Sequence, residues 1–157
     1  MIKVKVKTPE KSEAVQRHAF CIGYKWFTGG NKIQYTAERF LLFNSNLITR
    51  FVEFDDFNNH PATRMKPREF FNHWPDIKFK VRDIDQFVRL QKAFFWNGIW
   101  CDWPDLGSKE MVFKPYIYLI RKRLRYAHAP IASSESSATE VNPETFIANS
   151  TNGDTTL

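Results

Sequence analysis

Hydrophobic and polar residues alternate near the start of the chain, where Val4-Lys5-Val6-Lys7 has the period of two that buries one face of a strand. The same rhythm returns at Phe79-Lys80-Val81-Arg82. Each alternation gives way to a helical period. Thr8 offers a capping hydroxyl and Pro9 a fixed first turn; Ala14, Val15, His18, Ala19 and Ile22 then recur on one face until Gly23 supplies a left-handed stop. Further on, Asp83 is the cap and Ile84, Phe87, Val88, Gln91, Phe94 and Phe95 form a broad face ending at Gly98. Short strands are predicted around Tyr24-Lys25-Trp26 and Ile99-Trp100-Cys101, then turns at Gly29-Gly30-Asn31 and Asp105-Leu106-Gly107. Further strands are expected at 32–35 and 40–43, and at 111–113 and 116–120.

These two runs are copies of one pattern. At an offset of 75, Lys5, Val6, Gln16, Phe20 and Gly23 recur as Lys80, Val81, Gln91, Phe95 and Gly98, with Arg17 matched by Lys92. One residue of insertion later, Phe40-Leu41-Leu42-Phe43 matches Tyr116-Ile117-Tyr118-Leu119, and Ile48 matches Leu124. The reading is an α+β fold of two β-α-β-β repeats, residues 1–50 and 79–127. About 50 residues each is too little for independent cores, so the repeats are expected to pack as one pseudo-symmetric domain, with Phe20 and Phe95 buried equivalently.

Between them, 51–78 reads as an inserted aromatic and basic segment that does not repeat. Phe51, Phe54 and Phe57 stand among Glu53, Asp55 and Asp56; Arg64, Lys66 and Arg68 follow; and a short helix from Pro67 carries Phe70, Phe71 and Trp74. Residues 128–157 are rich in Ser, Thr and Asn and read as a disordered acidic tail, with one apolar island around Phe146.

Composition sharpens this picture in two respects. Aromatic residues make up 16% of the 157, including 15 Phe and 5 Trp against only 6 Gly, so a dense core fits in a short chain. The net charge is +6, but all 23 Lys and Arg precede Tyr126 together with 13 of the 17 acidic residues, so that part carries +10. An acidic partner follows: a protein face, a nucleic acid or a nucleotide. No apolar run approaches the roughly 20 residues of a membrane span, and the first residues do not form a signal peptide, so a cytoplasmic protein without a membrane partner is expected.

Catalytic chemistry finds little support. Cys21 and Cys101 lack C-x-x-C spacing, and His18, three residues from Cys21, has no further ligands at metal-binding spacing. Asp55 and Asp56 read as a solvated turn. No phosphate loop, dinucleotide fingerprint or nucleophile elbow is present. No enzyme, cofactor or metal is expected. The functional weight falls on cations interleaved with rings: Trp100, Trp103, Arg121, Arg123 and Arg125 as one candidate partner-binding patch, Trp74 and Arg68 as a second.

Ala19-Phe20-Cys21-Ile22-Gly23-Tyr24-Lys25-Trp26, with Gly29-Gly30 and Phe40-Leu41-Leu42-Phe43, resembles the F-x-x-G-Y-x-W pattern of small accessory proteins of tailed bacteriophages. The second copy departs from it, with Ile99 for the Tyr and Trp100 one place early. The resemblance spans 20–50 residues per copy and transfers no catalytic residue. It implies a non-catalytic protein of the host bacterial cytoplasm that binds and inhibits a host enzyme, either a defence effector or an ATP-dependent protease. Phage inhibitors of the Lon protease match in size and non-catalytic character. A nucleic-acid or nucleotide-binding module is the alternative, and a homodimer is compatible with either.

Overall fold

The computed structural model describes residues 1–28, 30–97, 99, 114–120, 123–127 and 138–150. The α+β class holds. The chain divides into two compact units, Met1–Phe20 with Tyr24–His73, and Cys21–Gly23 with Trp74–Leu157. Pseudo-symmetric packing of two repeats as one domain stays an expectation of the sequence.

The first unit contains β1 (Ile2–Lys5), most of α1 (Pro9–Cys21), β2 (Lys25–Trp26), β3 (Phe40–Asn44), β4 (Leu47–Phe51), α2 (Phe54–Asn59), β5 (Thr63–Met65) and α3 (Pro67–Phe71). Thr8 caps α1 as predicted, its Oγ1 accepting from the Lys11 amide at 3.3 Å. The sheet order is β2-β4-β3-β1-β5, with β1 antiparallel to β3 and parallel to β5. The β3–β4 hairpin closes through Ser45 and Asn46 at φ of 47° and 63°, the positive pair that a two-residue turn of type I′ requires. One face of this sheet buries Val4, Leu41, Phe43 and Ile48, with the Phe70 ring of α3 stacked on Phe43 at 4.4 Å.

The strand expected at 32–35 does not form. Gln34 gives its backbone groups to a side chain instead: its amide donates to Gln16 Oε1 at 2.9 Å, and its carbonyl accepts from Gln16 Nε2 at 2.7 Å. Gln16 Oε1 also accepts from Trp26 Nε1 at 3.0 Å. A buried amide thus does for this loop what a neighbouring strand would otherwise do.

The second unit contains β6 (Ile77–Lys80), α4 (Ile84–Trp96), β7 (Tyr116–Ile120), β8 (Arg123–Ala127), β9 (Thr139–Glu140) and α5 (Pro143–Ser150), with sheet order β8-β7-β6-β9. Asp83 caps α4, accepting from the Gln86 amide at 2.8 Å. Ile77, Phe79, Ile117 and Leu119 face a core completed by Phe87, Leu90, Phe94 and Phe146, and Cys21 belongs to it. Gly23 has φ +93°, and a Cβ there would stand 3.0 Å from Thr139 Cγ2, so conformation and space both demand glycine.

Two boundaries read from the sequence are corrected here. Residues 51–78 are not an insertion, because β5 pairs in parallel with β1 and α3 fills the core. The disordered tail expected over 128–157 does not hold for 138–150, where β9 pairs with β6 and α5 buries Phe146 and Ile147. The physical reason is common to both. Ile2 opposes Phe43 and Thr63, while Ile77 opposes Leu119 and Thr139, so the second sheet repeats the first sheet's register with β9 in the place of β5. Pro67 and Pro143 then open the following helices, and Phe70 and Phe146 are both fully buried. Phe95 is a third correction: it is 68% exposed, whereas Phe20 is 0% exposed. Gly29, Gly98, the turn at 105–107 and the strand at 111–113 lie outside the described residues.

Candidate binding surface

The side-chain phase of β8 is set from the inside. Leu124 and Tyr126 pack against the core of the second unit, and Gln91 Nε2 lies 2.9 Å from the Tyr126 hydroxyl. Alternation then sends Arg123 and Arg125 to the opposite face, where both are exposed. Register adds to them: Arg125 opposes Tyr118, Tyr118 opposes Lys78, and Lys80 opposes Tyr116. One face of this sheet therefore carries Lys78, Lys80, Arg123 and Arg125. Against them stands Glu140 on β9, 3.9 Å from Lys78 Nζ. Tyr118, in the middle of the row, is only 2% exposed.

The first unit uses the equivalent positions differently. Lys3, the counterpart of Lys78, is 6% exposed, and its ammonium donates to the carbonyls of Phe57, Asn58 and His60 at 2.7, 3.0 and 2.7 Å. These are carbonyls at the C-terminal end of α2, where a cation both completes hydrogen bonds and opposes the helix dipole. Lys5, the counterpart of Lys80, lies 4.7 Å above the Phe54 ring and 5.5 Å from Phe40. A buried Lys3 and a half-buried Lys5 in the first unit thus correspond to a half-buried Lys78 and an exposed Lys80 in the second.

Of the sequence-predicted site residues, Arg123 and Arg125 come together on β8, and Trp100, Trp103 and Arg121 lie outside the described residues. Trp74 is half-buried, packed against the core of the second unit with its ring 6.2 Å from Phe146. Arg68 is exposed on α3 and belongs to the first unit, whereas Trp74 belongs to the second. Lys78 and Lys80 were not singled out from the sequence, although the alternation around Phe79 already places them opposite the core.

Several other titratable groups are held by structural partners. His18 is buried with Nε2 3.2 Å from the His73 carbonyl, edge-on to Phe70 and Phe71. Cys21 Sγ lies 3.8 Å from the Phe146 carbonyl and 3.7 Å from Ser150 Oγ. Asp55 and Asp56, expected in a turn, stand exposed in the first turn of α2, a favourable place for carboxylates. Glu144 opens α5 and accepts from Arg89 through two nitrogens and from Gln86, and these bonds hold its carboxyl below the ordinary carboxylate range. Burial, followed by the charge of the chain's N-terminus, lowers the His73 pKa. Among the described residues no three His, Cys, Asp or Glu side chains are grouped to hold a metal ion. No helix among them is long and apolar enough to cross a membrane.

Compared with protein-family models, curated proteins and solved structures, the chain matches none.

Proposed function

We propose that the chain is a non-catalytic binding protein that captures an acidic protein surface through the cationic face of its second sheet, and that it acts by inhibiting the enzyme it captures. The observation that carries this reading is the register that brings Lys78, Lys80, Arg123 and Arg125 to one face while their first-unit counterparts Lys3 and Lys5 are occupied by α2. The excess of +10 before Tyr126 gives the face a long-range field that steers an acidic partner toward it. Capture of a host enzyme by a phage accessory protein is the form of inhibition that the F-x-x-G-Y-x-W resemblance favours. A nucleic-acid platform is the weaker reading, because it stacks bases on open rings and Tyr118, central in the row, is covered.

The test uses immobilised poly-L-glutamate and a 20-residue oligothymidylate as probes. Lys80→Glu, Arg123→Glu and Arg125→Glu together are expected to abolish retention on poly-L-glutamate while leaving circular dichroism unchanged, since exposed strand charges contribute little to stability. Tighter binding of oligothymidylate, with a steep loss as salt rises, would replace this reading with the nucleic-acid one. Casein degradation by a Lon-type ATP-dependent protease, with and without the chain, tests the inhibitory part.

A further inference from the structure

The outer side of α4 carries the exposed large hydrophobic residues of the second unit among the described residues. Ile84, Phe95 and Trp96 are all exposed, the last two at 68% and 57%, and Val88 is half-buried. At about 100° per residue, Ile84, Val88 and Phe95 fall within about 40° of one another, so they form one stripe along the helix. Asp85 and Lys92 lie beside that stripe, and neither makes a salt bridge among the described residues. On α1 the corresponding positions differ: Glu13 and Arg17 form an ion pair at 2.6 Å in the places of Val88 and Lys92, and Phe20, in the place of Phe95, is buried. The apolar stripe is therefore a property of this helix and not of the shared pattern.

We propose that this stripe binds a second copy of the chain, α4 against α4 in antiparallel orientation about a two-fold axis near the middle of the helix. Charge complementarity selects this occupant. An antiparallel pair centred between Val88 and Arg89 sets Asp85 of each copy opposite Lys92 of the other, and the two-fold makes two such pairs at once. Ile84 of one helix then lies beside the end of the other that carries Phe95, while the two Val88 side chains meet near the axis, and an aromatic residue beside aliphatic ones makes an interface rich in contact area. One helix pair buries less than a standard interface, so the dimer forms reversibly, with a dissociation constant in the micromolar range. This interface does not overlap the cations of the second sheet, because those lie on the sheet face turned away from the α4 side of the core.

Sedimentation equilibrium of the full chain, from about 1 to about 500 µM to span that range, is expected to show a monomer–dimer transition. Phe95→Ser should shift it at least about tenfold toward monomer. Asp85→Lys alone and Lys92→Asp alone should each weaken self-association by a similar factor, because each sets like charges opposite one another. Mixing the two single variants should restore dimers of mixed composition, and the double variant Asp85→Lys, Lys92→Asp should dimerise with itself. A chain that is monomeric at every concentration overturns the proposal and leaves the stripe to a different partner. A dimer that ignores both charge changes overturns it as well, since another surface would then hold the copies together. All three substituted positions are exposed, and unchanged circular dichroism confirms that each variant is folded.

Discussion

Phe20 and Phe95 hold the same place in the two long helices, 75 residues apart, yet Phe20 is 0% exposed and Phe95 is 68% exposed. Their contributions to stability should separate accordingly. Phe20→Ala removes a fully buried ring and is expected to cost about 3–5 kcal/mol by urea denaturation. Phe95→Ala, measured at protein concentrations where the chain is monomeric, should stay within about 0.5 kcal/mol. Equal losses would mean that Phe95 is packed in solution.

That contrast marks how far the sequence could be read. A helical period and its caps are local facts, so α1 and α4 with Thr8, Asp83 and Gly23 were legible, as were β1, β6 and the strands β3 and β7. Whether a given aromatic is buried depends on what packs above it, and equivalence between repeats does not supply that. The strands β5 and β9, of three and two residues, have no periodicity to detect, and their partners β1 and β6 lie about 60 residues earlier. A signal did exist in the Pro-x-x-Phe that opens both α3 and α5, 76 residues apart. At the candidate surface, Arg123 and Arg125 could be found as charges in a cluster. The packing of Trp74 could not be read, because a tryptophan beside basic residues looks the same in sequence whether its ring is open or packed on Phe146.

Lys3 is the buried cation on which α2 depends. Lys3→Met keeps most of the apolar stem but removes the three donors, leaving the Phe57, Asn58 and His60 carbonyls without that partner. The expected loss is about 1–3 kcal/mol, the penalty for buried acceptors left unsatisfied. Amide exchange offers a local check: the amides of Phe57 and His60, bonded to Glu53 and Asp56, should lose protection before those of α1.

His73 gives the stability a dependence on mildly acidic pH. Its folded-state pKa is lowered, chiefly by burial, so in the unfolded chain the ring takes up its proton at a higher pH, near the ordinary value of about 6.5. The contribution of the neutral ring is thus fully present above that value. It is lost as pH falls through the interval down to the folded-state pKa, where the native state at last protonates too. Urea midpoints taken from pH 8 to pH 5 should fall below about pH 6.5, and His73→Gln should flatten that decline. Parallel curves for the two proteins would assign the slope to other groups.

The segment 138–150 provides the last prediction, because its composition and its structure point in opposite directions. A polar, low-complexity flank such as 128–137 suggests that everything after Tyr126 could be removed without loss, yet Val141, Phe146 and Ile147 are core residues of the second unit. Phe146 makes ring contacts with Phe79 at 5.2 Å and Phe94 at 5.0 Å, and Glu144 ties α5 to α4 through Gln86 and Arg89. Phe146→Ala should therefore cost about 3–5 kcal/mol. A chain ending at Ser137 should lose the near-ultraviolet signal of the second unit's packed aromatics, since removing β9 and α5 opens its core on one side. Ending the chain at Ser150 is the control, and it should unfold at the same urea concentration as the full chain. If the chain ending at Ser137 matched it, α5 would be a passive cover, and the core of the second unit would have to be complete without Phe146.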